Sequence, residues 1–191
     1  MADGIAVFDA LKAIRPDMAI FANRDALRAA PGLRDLIIPV EWRQAEKSHA
    51  KSRDTLEGTA RAFAEQRAVV LFPAGRIAFR HEGTLTERPW QTSVVALARR
   101  YDVPVYPARI EARNSGLFYL VSKCSTELRD ITLFHEFLNK RGNRFTIGIG
   151  GPVPAAALAG DPVDVTARLQ SHTVRALAAD IDAEFEAQPA P

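Results

Sequence analysis

Cysteine is almost absent: Cys124 is the single thiol in 191 residues. One thiol excludes an internal disulfide framework and suits a reducing cytosol. Its ordinary reading is a buried structural thiol, with a nucleophile as the alternative. Long apolar runs are missing too, and none reaches the ~18 residues that a membrane-spanning helix needs. Net charge is small, formally +2, which argues against nucleic acid, whose partners carry a stronger basic footprint. Four scattered histidines and one cysteine give no metal-ligand spacing. Neither G-x-x-x-x-G-K-[ST] nor G-x-S-x-G occurs, which removes P-loop and nucleophile-elbow chemistry. The run Gly148 to Gly151 lacks the G-x-G-x-x-G spacing, and prolines follow where a helix should start, so a dinucleotide site is rejected. The opening "MADGIAVFDALKAI" has Asp3 near its front and none of the basic-then-apolar order of a signal peptide.

What remains is an ordinary globular composition, 47% hydrophobic and 25% charged, long enough to bury a core. Apolar spacing predicts a helix over residues 5–14, stopped by Arg15-Pro16. Short apolar runs at 18–22, 36–40 and 68–72 read as buried strands. Helices are expected over 25–30, 55–67 and from Pro89-Trp90 to Arg100. "DVPVYPARI" (102–110) reads as a strand at an edge, because of its prolines. Residues 117–121 and 131–138 read as short helices and 145–149 as a strand. The C-terminus reads as a long helix over 163–186 with a frayed tail over 187–191. Alternating strands and helices predict an α/β fold, one domain over 1–191, with a largely parallel sheet flanked by helices.

The stretch "VVLFPAGRIAFRHEG" (69–83) carries the chemistry. A buried strand ends in Phe72-Pro73-Ala74-Gly75, and Arg76 and Arg80 follow. In an open parallel sheet, ligands gather at the carboxyl ends of strands. Glycine there allows tight backbone geometry, and arginine supplies planar donors for phosphate or carboxylate. The turn therefore reads as an anion-binding element, with a solvated basic loop as the alternative.

"FPAGR" resembles the F-P-x-G block of the glycerolipid and lysophospholipid acyltransferases. Three further blocks follow in that family's order. "PGLRDLIIPVEW" (31–42) is similar to its second block and "VPVYPARI" (103–110) to its V-P-V-x-P block. "ADGIAVFDAL" (2–11) is similar to the end of its His-x4/5-Asp block. "LRDITLFHEFLNKRGNRFTIGIGGPVP" (128–154) resembles the branch of ornithine-lipid synthases and hemolysin-like acyltransferases. The resemblance implies transfer of a fatty acyl group from a thioester, on acyl-carrier protein or coenzyme A, to a hydroxyl of a lysolipid. It implies Asp3 as the motif aspartate that orients a histidine base. It implies Phe72, Pro73, Ala74, Gly75, Arg76 and Arg80 as the acceptor-side turn. No metal or redox cofactor is implied. The expected setting is cytoplasmic, with peripheral membrane contact.

The family's histidine should lie just before Asp3, and this chain does not carry it. The favoured expectation is a native protein that starts upstream with that histidine. Without a general base the chain would lose orders of magnitude in rate. Two alternatives stay open. One is a non-catalytic lipid- or carrier-binding relative. The other is His49, since His49 to Asp54 is literally H-x4-D, although "EKSHAKSRD" reads as the solvated start of a helix. Among lesser candidates, Trp90 is either an acyl-entrance residue or a helix anchor. Asn114-Ser115 is a possible acceptor contact or a plain turn, and "LFYLV" (117–121) either dips into lipid or packs in the core. Arg99-Arg100 reads as a helix C-terminal charge pair, His135 as structural and His172 as solvated.

Overall fold

A computed structural model describes residues 2–41, 43, 46, 48–81, 84–112, 114–116, 118–119, 132, 135–136, 138–140 and 142–186. The chain divides into two compact units, Phe8–Gly75 and Met1–Val7 with Arg76–Pro191. The first helix, α1 (Ala2–Leu11), carries Asp3 in its first turn. It closes when Ile14 and Arg15 both donate to the Leu11 carbonyl, just before Pro16.

The Phe8–Gly75 unit is an α/β sheet unit. It holds β1 (Ala19–Asn23), α2 (Asp25–Ala29), β2 (Ile37–Val40), α3 (His49–Ala64) and β3 (Val69–Val70). The strands form a parallel sheet in the order β2-β1-β3. Ile20 registers against Ile37 on one side and Val70 on the other. Helix α3 begins six residues before its sequence-predicted start. The Ser48 hydroxyl accepts from the Lys51 N–H and caps the first turn, so the charged run 46–54 leads directly into the helix. The helix ends when Gln66 takes a left-handed φ of 54°. Arg67 N–H then reaches the Ala62 carbonyl and Gln66 N–H the Phe63 carbonyl, a Schellman closure. Thr59 and Ala62 are the buried face of α3. Ala62 joins Ala19 and Ile38 in a small core flanked by Phe21 and Val69.

Arginine finishes what that small core leaves open. Arg67 donates to the carbonyls of Asp17 (3.0 Å), Met18 (2.6 Å) and Asp35 (2.6 Å). These carbonyls sit just ahead of β1 and β2, so one guanidinium pins the start of each strand. Arg15 grips the Asp17 carboxylate with two bonds, 2.9 and 2.7 Å. Its hydrogen bonds, opposed by burial, hold Asp17 down at about 2.

The other unit holds an antiparallel hairpin, β4 (Phe79–His81) with β5 (Thr84–Thr86), which the sequence reading did not contain. It continues with α4 (Ser93–Tyr101), β6 (Ala108–Glu111), β7 (Thr146–Ile149), α5 (Pro162–Ser171) and a last short helix, α6 (Leu177–Ala179). Val95, Ala98, Val153, Leu158, Val165 and Leu169 form its core, with Trp90, Val105 and Phe185 packed against them. Trp90 thus anchors, and Gln170 brackets it by accepting from its N–H and donating to the Arg88 carbonyl. Arg99 donates to the Leu158 and Gly160 carbonyls. It closes the 3-10 turn Ala155–Leu158 rather than simply completing a charge pair.

Three expectations change here. The fourth strand is shorter, because Pro104 and Pro107 lack donors, and it pairs antiparallel with β7. The long C-terminal helix is not continuous to Glu186. It passes through a π turn at His172–Ala176 and ends at Ala179. The reason is Phe185, whose ring packs edge to face on His172 at 5.5 Å. A straight helix would carry those two residues ~20 Å apart. His172 is accordingly buried rather than solvated, and burial lowers its pKa. Gly148 in β7 serves packing as well: a Cβ there would stand 2.8 Å from the Ile181 side chain.

Phe118 and Tyr119 are both buried, with their rings edge to face, so these two residues pack inward. The rest of 117–121 lies outside the described residues, as does half of 131–138. Ser115 N–H donates to buried Glu136 at 2.8 Å, and the Ser115 hydroxyl bonds the same carboxylate. Ser115 is thereby committed within the fold. Among the described residues no helix is long and apolar enough to cross a membrane.

Candidate active site

The sheet order decides where a crevice opens. The crossover from β1 leads to one flank and the next crossover leads to the other, so the chain direction switches between β1 and β3. Ligands of open α/β sheets bind outside the carboxyl ends at such a switch. The segments leaving those ends are Asn23-Arg24-Asp25 after β1 and Leu71 to Gly75 after β3.

The exit from β3 is a tight turn. Gly75 N–H donates to the Phe72 carbonyl at 3.0 Å. Pro73 takes the first central position, and Ala74 is not among the residues with positive φ, which makes the turn type I. Gly75 follows with a φ of 62°. A Cβ there would meet nothing within 4 Å, so conformation, not crowding, demands glycine. Phe72 is exposed, as is Arg76, next in the chain. The sequence-predicted residues Phe72, Pro73, Ala74 and Gly75 are therefore brought together on a rigid turn. Arg80 lies in β4, paired in register with Leu85. Asp3 is exposed on α1. Asp3, Arg76 and Arg80 belong to the unit that does not contain the turn.

A charged cluster that the sequence reading missed occupies the exits of β1 and β2. Asn23 accepts from the Asp25 N–H at 3.0 Å. Arg43 donates to Asp25 at 3.0 Å and to Glu46 at 3.1 Å. Buried Glu41 accepts from Lys51 at 2.8 Å and from the Arg43 N–H at 3.2 Å. The Lys51 hydrogen bond is the main cause holding Glu41 below the ordinary carboxylate range, against burial. The Glu41 hydrogen bond in turn raises Lys51, and the charge of Asp25 leads in raising Arg43. All three groups stay ionised near neutral pH. They hold the two strand exits together and do not exchange protons there. The signal was faint: single charges in "NRD", "VEWR" and "HAKS", too far apart in sequence to read as one cluster.

His49 opens α3 and is exposed. Asp54 lies five residues on, about 140° around a regular helix. Its carboxylate pairs with Arg24 at 2.7 Å. The structure thus turns Asp54 toward Arg24 and does not join the two residues of the literal H-x4-D as a dyad.

A family model described as Acyltransferase matches residues 1–111, the segment that contains α1, the parallel sheet and the Phe72–Gly75 turn. A lyso-glycine lipid O-acyltransferase of Phocaeicola vulgatus is 30% identical over 136 residues, 68% of this chain and 47% of that protein. Another, of Bacteroides thetaiotaomicron, is 23% identical over 158 residues, 80% of this chain and 56% of that protein. The chain spans about half the length of these curated relatives. No solved structure matches.

Proposed function

Because the chain belongs to the acyltransferase family, we propose that it is the acyl-transferring part of an O-acyltransferase acting on a lysolipid. The acceptor is a lyso-aminolipid, the class of the lyso-glycine lipid in the names of the two relatives, or a lysophospholipid. The acceptor hydroxyl oxygen attacks the carbonyl carbon of an acyl thioester. A C–O bond forms, the C–S bond breaks, and the hydroxyl proton leaves with the thiol of acyl-carrier protein or coenzyme A. Asp3 stands where the family's motif aspartate orients a histidine base, a histidine that the given sequence does not carry before Asp3. Phe72, Pro73, Ala74 and Gly75, with Arg76 and Arg80 further along the chain, are the residues assigned to the acceptor, the arginines as the charge partners of its acidic headgroup. The reaction takes place at the cytoplasmic membrane surface, in membrane lipid synthesis.

The observation that carries this reading is the rigid Phe72–Gly75 turn beside the β1/β3 switch of a parallel sheet, within the family-matched segment. The experiment is to incubate the native protein with a palmitoyl thioester and lyso-glycine lipid, lyso-ornithine lipid or lysophosphatidate, and to follow ester product and free thiol together. One acceptor is expected to yield both in equal amounts. Arg76→Ala is expected to raise that acceptor's KM about tenfold, the worth of one charge-assisted bond. Binding of lysolipid with no product from any acceptor would replace this reading with that of a non-catalytic lipid-binding relative.

A further inference from the structure

The outer flank of β2 carries a groove that the proposed chemistry does not use. Its volume is about 710 Å³, and it is lined by five arginines, Arg24, Arg28, Arg34, Arg61 and Arg67. Leu27, Ile37 and Pro39 form its apolar part. Among the described residues Asp35, Asp54 and Glu65 are the acids lining it, so described cations outnumber described anions by five to three.

The cations are unequally committed. Arg24 is held by Asp54 at 2.7 Å, and Arg67 is bonded to main-chain carbonyls. Arg28 meets Asp25 only at 3.5 Å, and its side chain is 81% exposed. Arg34 and Arg61 are exposed, and neither side chain has a hydrogen bond or ion pair among the described residues. Like charges gathered in one concavity repel unless an anion enters it.

The strand edge itself offers little to a partner's backbone. Pro39 has no N–H, and its carbonyl accepts from the Thr55 hydroxyl at 2.5 Å. Strand addition is therefore disfavoured, and recognition falls to the side chains. On α3 the lining residues are Asp54, Arg61 and Glu65, spaced i, i+7 and i+11 on one helical face. They stretch the groove over ~16 Å, three turns of a helix and far longer than a single phosphate. Among the described residues, the exposed large hydrophobics of this unit, Ile14, Leu56 and Phe72, are not among its lining residues. A concave, arginine-rimmed trough without protruding apolar side chains suits a helix in a groove, not a flat bilayer.

We propose that this groove docks an acidic helix of a partner protein, with carboxylates of successive turns meeting Arg28, Arg34 and Arg61. The inference rests on the acyl-transfer reading for its choice of partner, which is the acidic carrier protein that presents the acyl thioester.

The test uses the native protein and an apo acyl-carrier protein lacking its phosphopantetheine arm, so that only the surface contact is read. Fluorescence anisotropy at low and at physiological ionic strength is expected to give saturable binding that weakens with salt. The double variant R34E/R61E is expected to weaken it at least tenfold, with an unchanged circular dichroism spectrum. R28E serves as a second variant should the double one fail to fold. R53E, on the same helix but outside the lining residues, is expected to leave the affinity within twofold. No binding by the wild type, equal loss in R53E, or no loss in R34E/R61E and R28E overturns the proposal. So does binding to phosphatidylglycerol vesicles, in place of the carrier, that depends on Arg34 and Arg61. Turnover of a palmitoyl-pantetheine donor by the wild type is measured separately. Its absence alongside carrier binding would overturn the acyl-transfer reading and leave the groove standing.

Discussion

The two units reach stability by different means. In the unit that ends the chain, six fully or nearly fully buried apolar residues interlock, and Phe185 returns to seal them. In the sheet unit the buried apolar residues among those described are Met18, Ala19, Ile20, Ile38 and Ala62, of which Ala19, Ile38 and Ala62 form one small cluster. Its strands are aligned instead by charged side chains: Arg67 and Arg15 at the entering ends, Arg43, Glu41 and Lys51 at the exits. The contrast teaches that a small parallel sheet can be held from its two ends, by charged side chains rather than by a large apolar core.

The largest effect that sharpens this contrast is in the apolar core. Leu169→Ala removes a fully buried side chain and is expected to cost about 2–5 kcal/mol, read by denaturant unfolding. In the sheet unit the comparable loss should come from an arginine. Arg67→Ala leaves three carbonyls without a charged donor and is expected to cost about 2 kcal/mol. Arg67→Lys should recover little, since one ammonium cannot repeat the planar fork. If Arg67→Ala unfolds no more easily than the wild type, the clamp account of the sheet unit is wrong.

Gly75→Ala comes next. A left-handed alanine is expected to cost about 1–2 kcal/mol and to shift the exit turn. In the native protein that should appear as a larger acceptor KM. An unchanged melting temperature together with an unchanged KM would remove the turn from the site.

The smallest effect is a separation in pH. His172 has a pKa below its ordinary 6.5 because it is buried. The unfolded chain therefore binds a proton before the folded one, and stability of that unit falls as pH drops below about 6.5. Asp17 in the sheet unit is held at about 2 against an ordinary 3.8. Its contribution is complete above about 3.8 and is lost as pH falls through about 2, and the lowered Glu41 acts in the same direction. Hydrogen exchange, corrected for its intrinsic pH dependence, should show His172–Ala176 loosening between pH 7 and 5 while β1 and β2 stay protected. His172→Gln should flatten that response. Simultaneous loosening of both units would mean that they do not respond to acid separately.

Much of this was legible in one dimension. The runs at 18–22 and 36–40 became β1 and β2 within a residue or two, because a short apolar run between breakers has few other fates. The Phe72–Gly75 turn was legible because proline fixes φ locally and glycine tolerates the backbone geometry that closes a tight turn. The start of α3 was misplaced: propensity favoured Thr55 onward, whereas the Ser48 cap carried the helix back to His49. The C-terminal helix was overextended because its composition stays helical to the end. Only the packing of Phe185 on His172 tells the chain to stop at Ala179. The hairpin β4–β5 escaped because its register depends on pairing, not on a strong local pattern.

The sequence by itself determined the α/β class, the short apolar strands of a parallel sheet and the tight turn at Phe72–Gly75. These follow from local sterics and from periodicity, which neighbouring residues carry among themselves. Only the tertiary structure decided that Glu41, Arg43, Lys51 and Asp25 form one cluster, that Asp54 answers to Arg24 and not to His49, and that five arginines line one flank of β2. Charges act through space, so their partners are set by how strands and helices stack and not by their separation along the chain.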